Sequence, residues 1–143
     1  MKLFPSVIVL AAAVFASHFA FAASPVSIDQ HRWHDRLLVI FAANPQSAQL
    51  AAQRAAIEET GSGFKERNLT LIEVIGDSVK GASENASTLR QRFGVKQHSF
   101  RALLVGKDGG VKIDSPQPIS ASELTSTIDA MPMRRQEAAA KLP

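Results

Sequence analysis

The sequence predicts an α/β domain built in the order β-α-β-α-β-β-α, with a mixed sheet held between two layers of helix. Three observations carry that prediction. Leu37 to Phe41, Leu69 to Ile75 and Ala102 to Val105 are short apolar runs rich in β-forming residues. Stretches of helical length separate them, which calls for crossover connections and a largely parallel central region. A turn at Asp108-Gly109 then folds a last, antiparallel strand back along the sheet edge.

The elements follow in order. Residues 24–36 are polar and irregular, with the cluster His31-Arg32-Trp33-His34-Asp35-Arg36. Leu37 to Phe41 has no polar alternation, the mark of a strand buried on both faces. Asn44-Pro45 suits a helix start, Asn as N-cap and Pro as first helical residue. The helix body is Gln46 to Thr60, with Leu50, Ala51 and Ile57 near one face, and Gly61-Ser62-Gly63 ends it. Leu69 to Ile75 is the second strand, and residues 76–84 read as a loop. A short helix over Ala86 to Phe93 places Leu89 and Phe93 on one face, with Gly94 as its C-terminal cap. Ala102 to Val105 is the third strand. Lys107-Asp108-Gly109-Gly110 is the hairpin turn into Val111 to Ile113. Ser120 and Glu123 form a capping box ahead of a helix whose apolar face is Leu124, Ile128 and Met131. Pro132 ends that helix, and 134–143 reads as a polar tail. This order is that of the thioredoxin fold, a three-layer sandwich. The domain spans 37–133, preceded by an irregular segment over 23–36.

Residues 1–22 have the pattern of a secretory signal peptide. Lys2 is the positive start, Val7 to Phe15 the apolar run, and Ala20-Phe21-Ala22 the small-x-small cleavage pattern. Ser17 and His18 interrupt the apolar stretch and leave it short for a membrane span. The expectation is therefore export, to a bacterial periplasm or beyond, with no stable membrane anchor after cleavage. The chain of 143 residues contains no cysteine. Disulfides, thiolate nucleophiles, cysteine-ligated metals and a lipoprotein anchor are all excluded at once. Some 120 residues bury enough apolar surface to hold a fold without cross-links. Without Lys2 the remainder carries 15 Lys and Arg against 13 Asp and Glu, a weak excess of +2. Tyrosine is absent, Trp33 is the one tryptophan, and the basic residues are scattered among acids. Nucleic-acid binding, which needs a clustered basic stripe with stacking aromatics, is set aside.

Three stretches carry a more specific likeness. Arg32-Trp33 through Arg36-Leu37-Leu38-Val39-Ile40-Phe41-Ala42 resembles the opening of the family known as domain of unknown function 4174. Leu103-Leu104-Val105-Gly106-Lys107-Asp108-Gly109-Gly110-Val111-Lys112 resembles its hairpin. Ile128-Asp129-Ala130-Met131-Pro132-Met133-Arg134-Arg135-Gln136-Glu137 resembles its closing signature. The resemblance spans roughly residues 30–137. It implies a thioredoxin-like or peroxiredoxin-like module of exported bacterial proteins, found also in animal matrix proteins with sushi repeats. It brings no set of catalytic residues with it.

Thioredoxin-like enzymes hold a reactive thiol at the start of the first helix, where the helix dipole lowers its pKa. Here that turn is Asn44-Pro45-Gln46-Ser47-Ala48, and Ser47 is its only hydroxyl. These enzymes also place a proline before the third core strand, where this chain has Lys96-Gln97-His98-Ser99-Phe100-Arg101. Both halves of a redox site are missing. Disulfide exchange and thiol peroxidase chemistry are excluded unless another protein supplies the thiol. Free N–H groups at the helix start suit an anion or carboxylate, so Asn44, Gln46 and Ser47, joined by His98 and Ser99, are the candidate ligand site. Their plainer role is to begin a helix. His31, His34 and Asp35 are the only metal-like cluster, too few ligands for a tetrahedral ion unless His98 folds back; otherwise Trp33 packs under the first strand while its neighbours face water. Met131 and Met133 flank Pro132, but Met131 continues the apolar helical face. A hydrolase using Ser99 and His98 lacks a placed acid. No motif calls for a cofactor. The leading expectation is an exported, non-catalytic module that binds an envelope protein or peptide, and the alternative is a small-ligand or metal carrier.

Overall fold

All seven residues of the first strand, Arg36–Ala42 (β1), are buried, the apolar run Leu37–Ala42 as its composition requires and Arg36 beside it. The computed structural model describes residues 24–143; the signal segment expected at 1–22 lies outside them. After β1 come α1 (Ala48–Thr60), the single turn α2 (Gly63–Glu66), β2 (Leu69–Ile75), β3 (Ser78–Lys80) and α3 (Ala86–Phe93). The chain continues through β4 (Arg101–Val105), β5 (Val111–Ser115), α4 (Ala121–Asp129) and α5 (Pro132–Ala139). A 3-10 turn over Ile28–His31 precedes β1.

The five strands form one sheet in the order β3-β2-β1-β4-β5. Successive side chains of β1 point to opposite faces, and each face has its own core. Leu37, Val39 and Phe41 pack with Ile72, Val74, Leu103, Val105 and the α3 residues Ala86 and Leu89. Leu38, Ile40 and Ala42 pack with Leu50 of α1, with Ala102 and Leu104 of β4, and with Leu124 and Ile128 of α4. The two helical layers are thus α3 on one side and α1 with α4 on the other.

Several expectations are corrected. The central region is not largely parallel: β1 pairs parallel with β2 but antiparallel with β4. The chain enters β4 at Arg101, opposite Phe41 near the end where β1 leaves, so β4 has to run the other way. The loop expected at 76–84 contains β3, an antiparallel edge strand on β2. The first helix begins at Ala48, capped by the Ser47 hydroxyl accepting from the Leu50 N–H at 3.3 Å. Asn44 instead closes a local turn, its Oδ1 accepting from the Gln46 N–H at 3.0 Å. Two buried α1 residues are Leu50 and Gln53, whereas Ala51 is exposed. Pro132 ends α4 as expected but also opens α5, so most of the expected tail is helical.

Other expectations hold. The second short helix spans Ala86–Phe93, with Gly94 capping it in the left-handed region at φ 66°. Ser120 accepts from the Glu123 N–H at 3.1 Å and starts α4. The hairpin pairs β5 antiparallel to β4 at the sheet edge.

Candidate functional site

The sheet has two ends, and they differ. At the end where β1 leaves and β4 enters lie both segments of the candidate ligand site, Asn44–Ser47 and the stretch holding His98 and Ser99. The register of Phe41 with Arg101 places them there together. Asn44, Gln46 and His98 are exposed, and Ser47 and Ser99 are half-buried. Asn44 and Ser47 use their side-chain oxygens on backbone N–H groups of their own turn. The Ser99 N–H donates to the Lys96 carbonyl. Among the described residues no hydrogen bond joins the two segments.

The opposite end, where β1 begins and β4 finishes, holds a polar cavity of about 150 Å³ between the Ile28–Asp35 segment, the end of α3 and the β4–β5 hairpin. His31 and Asp35 line it, joined by a 2.8 Å contact between Nδ1 and Oδ2. Asp29 and Arg92 close one side as a bidentate pair, at 2.7 and 3.0 Å. The Arg92 hydrogen bond, working against a smaller desolvation effect, holds the Asp29 carboxyl below its ordinary pKa of 3.8. Gly106, Asp108 and Gly109 supply the hairpin side. His34 faces solvent. Among the described residues no group of three or more His, Asp or Glu is arranged to hold a metal ion.

Trp33 does not pack under β1. It is 58% exposed, with φ 71°, a backbone region that non-glycine residues rarely enter. Its N–H donates to the Lys107 carbonyl at 2.6 Å, which ties the segment to the hairpin. Arg32, which lines the cavity, lies over the indole with its guanidinium carbon 5.4 Å from the ring centroid.

On the other side of the hairpin, a second set of side chains meets around the start of β1. Arg36 is 1% exposed. Its Nη1 donates to the Arg67 carbonyl at 2.8 Å, and Nη1 and Nη2 reach the two Glu137 carboxylate oxygens at 3.2 and 3.3 Å. Lys107 Nζ lies 2.7 Å from the same carboxylate and donates to Asn68 Oδ1 at 3.2 Å. A cavity of about 70 Å³, lined by Arg36, Lys107, Lys112, Met131 and Met133, adjoins them. Burial is the largest single influence on the Glu137 carboxyl and would raise its pKa, but the Lys107 and Arg36 hydrogen bonds and charges together outweigh it. The net shift is downward from 4.5. A carboxylate with a lowered folded pKa stabilises fully above its ordinary value, and that contribution fades as pH falls through the folded value. Glu137 is 23% exposed, so the contact is worth about 1–2 kcal/mol. The gap in urea stability between the natural protein and Glu137→Gln should therefore be fully present at neutral pH and shrink as the pH falls below the ordinary carboxyl value of 4.5. A gap that is constant with pH would contradict the assignment.

The sequence placed neither Arg36 nor Glu137 in a site, since 101 positions separate them. A usable signal was present. Arg36 abuts an apolar run that must be buried, and a buried guanidinium requires a carboxylate or carbonyls. The three stretches that carry the resemblance also converge here: β1 contributes Arg36, the hairpin Lys107 and Lys112, and the closing signature Met131, Met133 and Glu137.

The fold has counterparts among solved structures. A thioredoxin peroxidase of Plasmodium yoelii is similar with a TM-score of 0.57 and 16% identity, covering 81% of this chain and 82% of that one. The mitochondrial 2-Cys peroxiredoxin of Plasmodium falciparum is similar with a TM-score of 0.51 and 15% identity, covering 80% and 84%. Identities this low establish a thioredoxin-like fold and nothing about activity. In sequence, the chain is 28% identical over 134 residues to coiled-coil domain-containing protein 80 of Danio rerio. That match takes in 78% of this chain and spans only 16% of the relative. The model of the domain of unknown function DUF4174 matches residues 27–137, and the chain, thioredoxin-like in fold and without cysteine, belongs to that family.

Proposed function

We propose that the protein is an exported, non-redox thioredoxin-like module that binds a protein or peptide through the face built from residues 28–35 and the β4–β5 hairpin. Export rests on the Lys2, Val7 to Phe15 and Ala20-Phe21-Ala22 pattern. Loss of redox chemistry rests on the absence of any thiol. The observation that carries the binding reading is Trp33. A large aromatic held out to solvent at a positive φ costs stability, and such costs concentrate at ligand-binding segments. Tryptophan and arginine are also among the residue types most enriched at the energetic centre of binding surfaces, and Arg32 lies beside Trp33.

Cross-linking of the tagged protein in its own envelope, followed by mass spectrometry, tests the reading. One reproducible partner is expected with the natural protein. Trp33→Ala should reduce its capture roughly tenfold or more, because a hot-spot tryptophan contributes about 2 kcal/mol or more. Undiminished capture by Trp33→Ala, or steady insulin or peroxide reduction by pure protein, would contradict it.

A second reading, carriage of a small polar ligand, is favoured by the 150 Å³ cavity and its polar lining. A ligand specific to the native state raises Tm. If no metal or anion at millimolar concentration does so, that reading fails.

A further inference from the structure

We propose that the recess at the start of β1 is a carboxylate-binding site and that Glu137 of α5 is its internal occupant, in competition with a carboxylate on an acidic segment of another molecule. The site lies across the hairpin from the Trp33 face and stands whether or not that face binds a partner.

The cations are built in independently of their occupant. Arg36 belongs to the buried β1 strand, and the Arg67 carbonyl fixes its guanidinium at 2.8 Å. Arg67 is held in turn by a bidentate contact to Asp129, at 2.9 and 2.7 Å. Lys107 starts the hairpin turn and is oriented by Asn68 Oδ1. If Glu137 withdraws, two oriented cations remain facing one position, an arrangement suited to a carboxylate. Arg36 Nε is also buried with no hydrogen-bond partner, so the guanidinium has donor capacity that its present contacts leave unused.

The occupant, by contrast, is lightly attached. No residue of α5 is buried. Its polar ties to the rest of the domain are Glu137, together with Arg134 donating to Asp129 at 3.3 Å and to the Glu66 carbonyl at 3.1 Å. Met133, Arg134 and Glu137 are only half-buried, so α5 has modest hydrophobic energy to oppose its release. The Glu137 contact is therefore one of the main fastenings, beside the two Arg134 bonds, and a competing carboxylate supplies the same bonds to Arg36 and Lys107. Charge selects the ligand class: a neutral amide offers one acceptor oxygen and no charge, whereas a carboxylate meets both cations.

The test uses the full chain and Glu137→Gln, with a labelled hexapeptide of glutamate and glycine as probe and its glutamine counterpart as control. Glu137→Gln should bind the glutamate peptide roughly tenfold or more tighter than the natural protein, the worth of one set of charge-assisted hydrogen bonds. The glutamine peptide should bind neither. Adding Arg36→Met to Glu137→Gln should abolish the gain. A second measurement needs no variant. Hydrogen exchange of the α5 amides in the natural protein should quicken in concentrated sodium acetate relative to sodium chloride of equal ionic strength, while β1 stays protected. Equal affinity of natural protein and Glu137→Gln for the glutamate peptide, equal binding of the two peptides, or α5 exchange that does not distinguish acetate from chloride would overturn the proposal.

Discussion

Phe41→Ala should lower stability by about 3–5 kcal/mol, the usual cost of emptying a buried phenylalanine site. With no disulfide to limit the unfolded chain, this would remove much of a typical total of about 5–15 kcal/mol. The expected readout is a fall in Tm on the order of 10–20 °C. Phe41 has 0% exposure in the central strand and joins elements from three parts of the chain. It pairs with Val74 of β2 and Arg101 of β4. Its ring meets Phe93 of α3 edge-on, with centroids 6.1 Å apart, and the Arg90 guanidinium carbon lies 5.6 Å from it. Arg90 has its own stake in this packing. It donates to the Gly76 carbonyl at 2.9 Å, and burial lowers its pKa. Truncating Phe41 thus opens a cavity and removes the ring on which a buried cation rests. Phe41→Leu keeps most of the volume and should cost less than half as much. Equal Tm shifts for the two variants would contradict this account of the core.

The second large effect is expected at Gln53, where a polar side chain has no access to solvent. Gln53 and Ile119 are 0% and 1% exposed. The Gln53 Nε2 donates to the Ile119 carbonyl at 2.9 Å, and its Oε1 accepts from the Ile119 N–H at 2.7 Å. The amide stands in for a strand neighbour and pins the link between β5 and α4 onto α1. Gln53→Leu has similar volume but leaves a buried N–H and a buried carbonyl unpaired, at about 1–3 kcal/mol each. We expect a total loss of roughly 2–4 kcal/mol, after some relaxation of the link. It should appear as a lower urea midpoint with an unchanged slope. A loss below about 0.5 kcal/mol, the scale of an ordinary surface change, would show that the link finds other partners.

Gln53 also shows where a single chain stops being informative. Periodicity placed Leu50, Ala51 and Ile57 on the inner face of α1, because an apolar pattern reports apolar partners. It has no means of reporting a glutamine whose partner is the backbone of residue 119. The same limit explains the first helix start. Asn44-Pro45 has good capping chemistry, yet an asparagine closes a turn with its own backbone as readily as it caps a helix, and Ser47 takes the cap. The direction of the third core strand depends on the path of residues 94–100, which no local preference encodes. What was legible was what local chemistry decides. Examples are the buried apolar β1, the Ala86–Phe93 helix with its glycine cap, the Asp108-Gly109 hairpin and the Ser120 cap.

The candidate site divides in the same way. The absence of cysteine alone removed redox chemistry, and the turn where a thiol would stand was found from its place between strand and helix. The structure sets Asn44, Gln46, Ser47, His98 and Ser99 at that end of the sheet. The cavity, the exposed Trp33 and the Arg36–Glu137 pair lie at the other. Their members come from positions 28–36, 92–112 and 131–137, and only the folded sheet brings them together. The three stretches that carry the family likeness marked this end, though they suggested no chemistry until the contacts were known.

The proposed binding face lies at the end of the sheet opposite the Asn44–Ser47 turn. It is tested directly by a photo-activated cross-linking residue placed at position 33 in one variant and at position 46 in another, each expressed as the full chain in its native host cells. A discrete cross-linked adduct is expected from position 33 and none from position 46. An adduct from position 46 alone would return the binding face to the first helix start and overturn the assignment to the Trp33 face.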